Sequence, residues 1–125
     1  MITTHPIYVA VVDDDESVGR SLGRLLRASG VQPITYLSAE AFLADKKRPQ
    51  FDCLVLDIQL GGMSGLELHQ RLLSVQDHTP VIYISAFDDP GAEADAVATG
   101  CAAFFRKTDS GAEVLEAIRR VTARN

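Results

Sequence analysis

Residues 7–17 read IYVAVVDDDES, and the break at residue 13 decides the fold. Six apolar residues, rich in β-branched side chains, run without a polar interruption and stop at three consecutive aspartates. A strand half exposed to water alternates apolar and polar residues; an unbroken apolar run of this length belongs to a strand covered on both faces, as in a parallel sheet flanked by helices. Similar runs occur at Phe51 to Leu56 (FDCLVL), Val81 to Ser85 (VIYIS) and Ala102 to Phe105 (AAFF). A weaker run, Gln32 to Tyr36 (QPITY), contains Pro33, which cannot donate to a ladder and therefore places this strand at a sheet edge.

Segments of helical period lie between these runs. Glu16 to Ser29 sets Val18, Leu22, Leu25 and Leu26 on one face and is followed by Gly30, suited to a left-handed helix end. A second helix starts near Ser38 and carries Phe42 and Leu43. Ser64 to Ser74 and Ser110 to Ala123 both open with Ser-x-x-Glu, in which serine and glutamate can each satisfy the other's free amide. Pro90 to Ala98 forms a shorter helix with Gly100 beyond its end. Strand and helix therefore alternate five times, which calls for an α/β doubly wound sheet. Right-handed crossovers and an edge position for the second strand then select the flavodoxin-like (βα)5 order 2-1-3-4-5.

The 125 residues suit one domain, read as spanning residues 1–125 with its core at about 7–123 and no output domain. A net charge of −5 disfavours direct binding to nucleic acid or an anionic membrane, so Arg20, Arg24, Arg27, Arg119, Arg120 and Arg124 read as solvated helix faces. Neither a leader-like start nor a membrane-length apolar run is present, which predicts a cytoplasmic protein. Cys53 and Cys101 read as small buried hydrophobes and free thiols, because the third and fifth strands stand roughly 9 to 10 Å apart. His5, His69 and His78 are scattered and read as surface residues.

In such sheets ligands bind at the carboxyl ends of the strands, where the strand order reverses. Those ends hold Asp13, Asp14 and Asp15 on the first strand, Asp57 on the third, Ser85 on the fourth, and Arg106 and Lys107 on the fifth. Any one aspartate could merely cap a turn or helix. Together the acids repel one another and require a cation, and an all-oxygen ligand set selects a hard one, Mg2+ or Mn2+. A carboxylate beside such an ion can attack phosphorus. Asp57, alone at the end of a central strand, is the better nucleophile candidate, while paired Asp13 and Asp14 suit the metal, with Lys107 and Ser85 left to neutralise and donate to phosphoryl oxygens.

The motifs VVDDDESV (11–18), LVLDIQLGGMSGLEL (54–68), VIYISA (81–86) and AAFFRK (102–107) make the chain, over about Tyr8 to Val121, resemble the receiver domain of two-component response regulators. The resemblance implies a regulatory phosphoacceptor rather than an enzyme, capable at most of self-phosphotransfer and slow autodephosphorylation. Asp57 would take phosphate from a histidine kinase, a phosphotransfer protein or a small phosphodonor. Asp14 would ligate the metal directly and Asp13 mostly through water, with the backbone carbonyl of Gln59 and Asp57 completing the set. Ser85 and Phe104 would switch with phosphorylation, Lys107 would pair with the phosphoryl group, and Gln59 and Phe87 would influence its lifetime. The face made by the fourth helix, fifth strand and fifth helix, with the loop Ala86 to Asp89, would then engage a downstream protein or a second copy.

Two positions depart from the family pattern. Thr108 follows Lys107 where proline is usual, which predicts a trans bond and a remodelled loop. Gly61 likewise stands where proline is common, so Gly61 and Gly62 predict a more flexible loop after Asp57. Other readings fit less well. An aspartyl phosphatase would carry a second acid at Gln59, and a flavin- or nucleotide-binding module would carry glycines where DDDES stands. A phosphorylation-independent, receiver-like adaptor is the alternative that Thr108 favours.

Overall fold

A computed structural model describes residues 6–86 and 90–123. Five strands and five helices alternate: β1 (Ile7–Val12), α1 (Glu16–Ala28), β2 (Val31–Tyr36), α2 (Ala39–Ala44), β3 (Cys53–Asp57), α3 (Gly65–Ser74), β4 (Val81–Ser85), α4 (Pro90–Thr99), β5 (Ala103–Arg106) and α5 (Gly111–Thr122). The strands form one parallel sheet in the order β2-β1-β3-β4-β5. Pro33 lies on edge strand β2, opposite Val9, where its missing N–H costs the sheet least.

The pleat divides each buried strand between two cores. Ala10, Val12, Leu54, Leu56 and Tyr83 face one side, where Phe42 of α2, Leu68 and Leu72 of α3, and Ala92 and Ala96 of α4 cover them. Val9, Val11, Cys53, Val55, Ile82 and Ile84 face the other, under Leu22 and Leu26 of α1 and Val114, Leu115 and Ile118 of α5. Double cover explains the unbroken apolar runs. β5, at the opposite edge, is only half-buried along its length.

Local chemistry sets the helix ends. Ser64 and Glu67 form the reciprocal capping box at α3. Ser110 instead accepts the Ala112 amide, one residue earlier than the Ser-x-x-Glu pattern predicts. Gly30 and Gly100, just past α1 and α4, have φ of +82° and +92°. Arg48 closes α2: its Nη1 donates to the carbonyls of Phe42, Leu43 and Asp45, and its guanidinium lies 4.6 Å from the Phe42 ring centre.

Two expectations need correction. His69 is buried at 4% exposure, not a surface residue, and its Nδ1 lies 2.8 Å from the Tyr83 hydroxyl. It shares the inward face of α3 with Gly65, Leu68 and Leu72, a spacing that helical geometry turns toward the core. Cys101 precedes β5 and is half-buried; both cysteines are free. Burial pushes the Cys53 thiol up to about 12, so it stays protonated and behaves as a small apolar side chain. His78 is exposed, whereas His5, Phe87 and Arg124 lie outside the described residues, as do residues 88 and 89 of the loop after β4.

Candidate functional site

The carboxyl ends of β1, β3 and β5 bring Asp13, Asp57 and Lys107 together. Asp13 directly follows β1, where its amide donates to the Tyr36 carbonyl of β2 at 3.0 Å. Its side chain is fully buried, and Oδ1 accepts the Asp15 amide at 2.8 Å. Asp57 is the last residue of β3, and its Oδ1 accepts the Gln59 amide at 3.0 Å. Lys107 is held by its backbone N–H, which donates to the Ser85 carbonyl at 2.8 Å. Its Nζ lies between the acids, 2.9 Å from Asp13 Oδ2 and 3.0 Å from Asp57 Oδ2.

Asp14 completes the cluster at the surface: one carboxylate oxygen from each of Asp13, Asp14 and Asp57 falls within a span of 4.8 Å. Three carboxylates face one ammonium, an excess of formal negative charge that a divalent cation would balance. Asp13 Oδ2 is buried and, though close to Lys107 Nζ, makes no aligned hydrogen bond. An acceptor left over in a set of hard oxygen donors fits Mg2+ or Mn2+.

Burial raises the Asp57 carboxyl above its ordinary pKa and the charge of Asp13 adds to this; the hydrogen bonds from Lys107 and the Gln59 amide act in the other direction. Burial by itself would lower Lys107, but its hydrogen bonds to Asp13 and Asp57 outweigh that, so the ammonium is held charged.

Ser85 ends β4 fully buried, one residue beyond Ile84, the neighbour of Asp57 in the ladder. Phe104 on β5 is half-buried and pairs in register with Tyr83. Thr108 does not displace the lysine. No cis peptide occurs among the described residues, and Arg106 to Asp109 close a tight turn, with the Asp109 amide donating to the Arg106 carbonyl at 2.9 Å and the Arg106 amide to Asp109 Oδ2 at 2.8 Å. A hollow of about 1640 Å³ lies at the other end of the sheet, beside Tyr8, Phe51 and Pro80, and contains none of these groups.

A profile of the response regulator receiver domain matches residues 9–119. The chain belongs to that family. Among curated relatives, this receiver is 34% identical over 111 residues to the response regulator protein TodT of Pseudomonas putida, a match covering 89% of this chain and 49% of TodT. The receiver thus spans about half the length of the curated relatives it matches. Its fold is similar to the crystal structure of FixJ-N, with a TM-score of 0.85 and 32% identity over 95% of each chain. It is also similar to a response regulator receiver protein from Burkholderia phymatum, with a TM-score of 0.81 and 38% identity over 93% of this chain and 94% of that one.

Reasoning from sequence placed Asp15 among the strand-end acids, any of which could cap a helix, and missed one residue that shapes the receiver's site, Gly65. Asp15 is the N-cap of α1, its carboxylate accepting both the amide and the hydroxyl of Ser17 at 2.9 and 2.6 Å, which holds it away from a ligand role. An Asp directly before a helical period was the available signal. Gly65 had no such signal. A Cβ built there would stand 2.2 Å from the Asp57 carbonyl oxygen, so α3 starts against the backbone of the acceptor candidate only because residue 65 has no side chain.

Proposed function

We propose that Asp57 is the phosphoacceptor of this receiver, taking a phosphoryl group from the phosphohistidine of a histidine kinase or phosphotransfer protein, or from a small phosphodonor. The observation that carries this reading is the convergence of Asp13, Asp14 and Asp57 within 4.8 Å, with Lys107 bridging two of them. A carboxylate oxygen of Asp57 attacks phosphorus, the bond to the donor breaks, and the donor leaves with its electron pair. Asp14, Asp13, Asp57 and the Gln59 carbonyl would hold the divalent cation, Asp13 mostly through water. Bound there, Mg2+ neutralises the carboxylates and the oxygens of the transferring group.

Lys107 supplies the fixed positive charge on the other side. While the site is unphosphorylated its ammonium spans Asp13 and Asp57, so it is already placed for a third oxyanion at Asp57. The Ser85 hydroxyl donates to a phosphoryl oxygen, drawing the end of β4 toward Asp57, and half-buried Phe104 turns inward as that space opens. The face built by α4, β5 and α5 then presents a changed surface to a downstream protein or a second copy. Residues 7–123 work as one receiver unit in this scheme. It is a regulatory phosphoacceptor and not a turnover enzyme.

The test is intact mass after incubation with acetyl phosphate and Mg2+, for wild type and Asp57→Asn. A single phosphate-sized gain in wild type alone is the expected result. No gain in folded protein would overturn the acceptor role and leave a phosphorylation-independent adaptor.

A further inference from the structure

The loop joining β3 to α3 carries Gln59 and contains Gly61 and Gly62, two residues with wide backbone freedom. Its ends are well held. Ile58 N donates to the Ile84 carbonyl at 3.1 Å, Gly65 N donates to the Ile58 carbonyl at 3.1 Å, and Ser64 caps α3. Its middle is held by a different element: Glu40, in the first turn of α2, accepts the Met63 amide on Oε2 at 2.8 Å. Among the described residues this is the one hydrogen bond that ties the backbone of residues 60–63 to another part of the fold. The same carboxylate lies against Gly62, which has φ of +77° and where a Cβ would stand 2.6 Å from Glu40 Oε2.

We propose that Glu40 is a positioning residue for the metal and acceptor site, fixing the Gly61–Gly62 loop so that the Gln59 carbonyl is presented to the cation. The inference rests on the acceptor reading above. The route is short. α2 is seated by Phe42 in the core and by Ser38, whose hydroxyl accepts the Ala41 amide at 3.0 Å. Glu40 therefore projects from a fixed helix end onto a loop that has little stiffness of its own. The preceding strand β2 steadies the other half of the site, since the Tyr36 carbonyl accepts the Asp13 amide. The β2–α2 junction thus holds the backbone behind one proposed ligand and tethers the loop of another. Glu40 touches neither the cation nor the phosphoryl group in this role; it limits how far the loop can stray before the cation binds.

The test is a Mg2+ titration of wild type, Glu40→Ala and Glu40→Gln, followed by the backbone amide resonances of Gln59 and Met63, with hydrogen exchange at Met63 measured without metal. Glu40→Ala is expected to weaken Mg2+ binding about tenfold, the lower end for a group that supports a metal ligand, and to speed Met63 exchange. Glu40→Gln keeps an acceptor oxygen and is expected to restore both. Unchanged Mg2+ affinity in Glu40→Ala, beside a wild type that binds normally, would overturn the positioning role alone, even if Met63 exchange rises. A folded wild type that binds no Mg2+ would overturn the acceptor reading and this inference with it.

Discussion

Replacing Gly65 by alanine tests a close approach between α3 and the backbone at the end of β3. The added Cβ would stand 2.2 Å from the Asp57 carbonyl oxygen, 3.0 Å from its carbonyl carbon and 3.3 Å from Ile58 Cα, all backbone atoms that cannot rotate away. Carbon contacts are comfortable at about 3.5 Å, so α3 and the end of β3 must separate by roughly 1 Å. That strain costs about 1–3 kcal/mol. It also stretches the 3.1 Å hydrogen bond from the Gly65 amide to the Ile58 carbonyl, a further loss of about 1 kcal/mol. Alanine's better helix propensity returns at most about 1 kcal/mol. The net loss is about 2 kcal/mol, which for a domain of this size lowers Tm by roughly 6–10 °C.

Thermal and urea unfolding followed by circular dichroism would measure it, with two controls. Gly61 has open space around it and no left-handed φ, so Gly61→Ala should stay within about 0.5 kcal/mol of wild type. Gly30 also has open space but a φ of +82°, so Gly30→Ala should lose about 1 kcal/mol from backbone strain alone. A Gly65→Ala protein melting within about 1 °C of wild type, or no worse than Gly61→Ala, would refute the close-approach argument.

Asp57→Asn should raise Tm at neutral pH without metal. Burial and Asp13 raise the Asp57 carboxyl in the fold, so its favourable contribution is present below the unfolded pKa of about 4 and lost as pH rises through the folded value. The gain should therefore shrink toward pH 4, and a gain that is independent of pH between about 4 and 7 would contradict it. His69 behaves in the opposite direction. Burial lowers its pKa, so the unfolded chain takes up the proton first, and stability should fall as pH drops below about 6.5. In urea titrations across that range, His69→Gln should show a shallower decline than wild type. Ser64→Ala removes a complete capping box and should cost about 1 kcal/mol, readable as a lower urea midpoint at unchanged m-value.

Much of the site was legible because strand-end chemistry is local. The acids after Val12, the lone Asp57 and the lysine after Phe105 follow apolar runs, and a parallel sheet brings such ends together. Thr108 pointed to a trans bond and a remodelled loop; no cis peptide occurs among the described residues, and Lys107 reaches both carboxylates, its amide held by the Ser85 carbonyl with the Asp109 turn following. Gly61 and Gly62 pointed to a loose loop; Glu40, twenty-three residues from Met63 in sequence, holds it.

The sequence by itself determined the alternation of strand and helix, the double burial of the central strands, the edge position of β2 and the acidic strand ends. These depend on side-chain period and on turn residues, which act over a few positions of chain. Tertiary structure alone decided that His69 is buried against Tyr83, that Gly65 lies on the Asp57 carbonyl, and that Glu40 reaches Met63. Periodicity tells which way a side chain points. How closely the facing element approaches, and which polar atom it offers, depends on contacts between segments far apart in sequence.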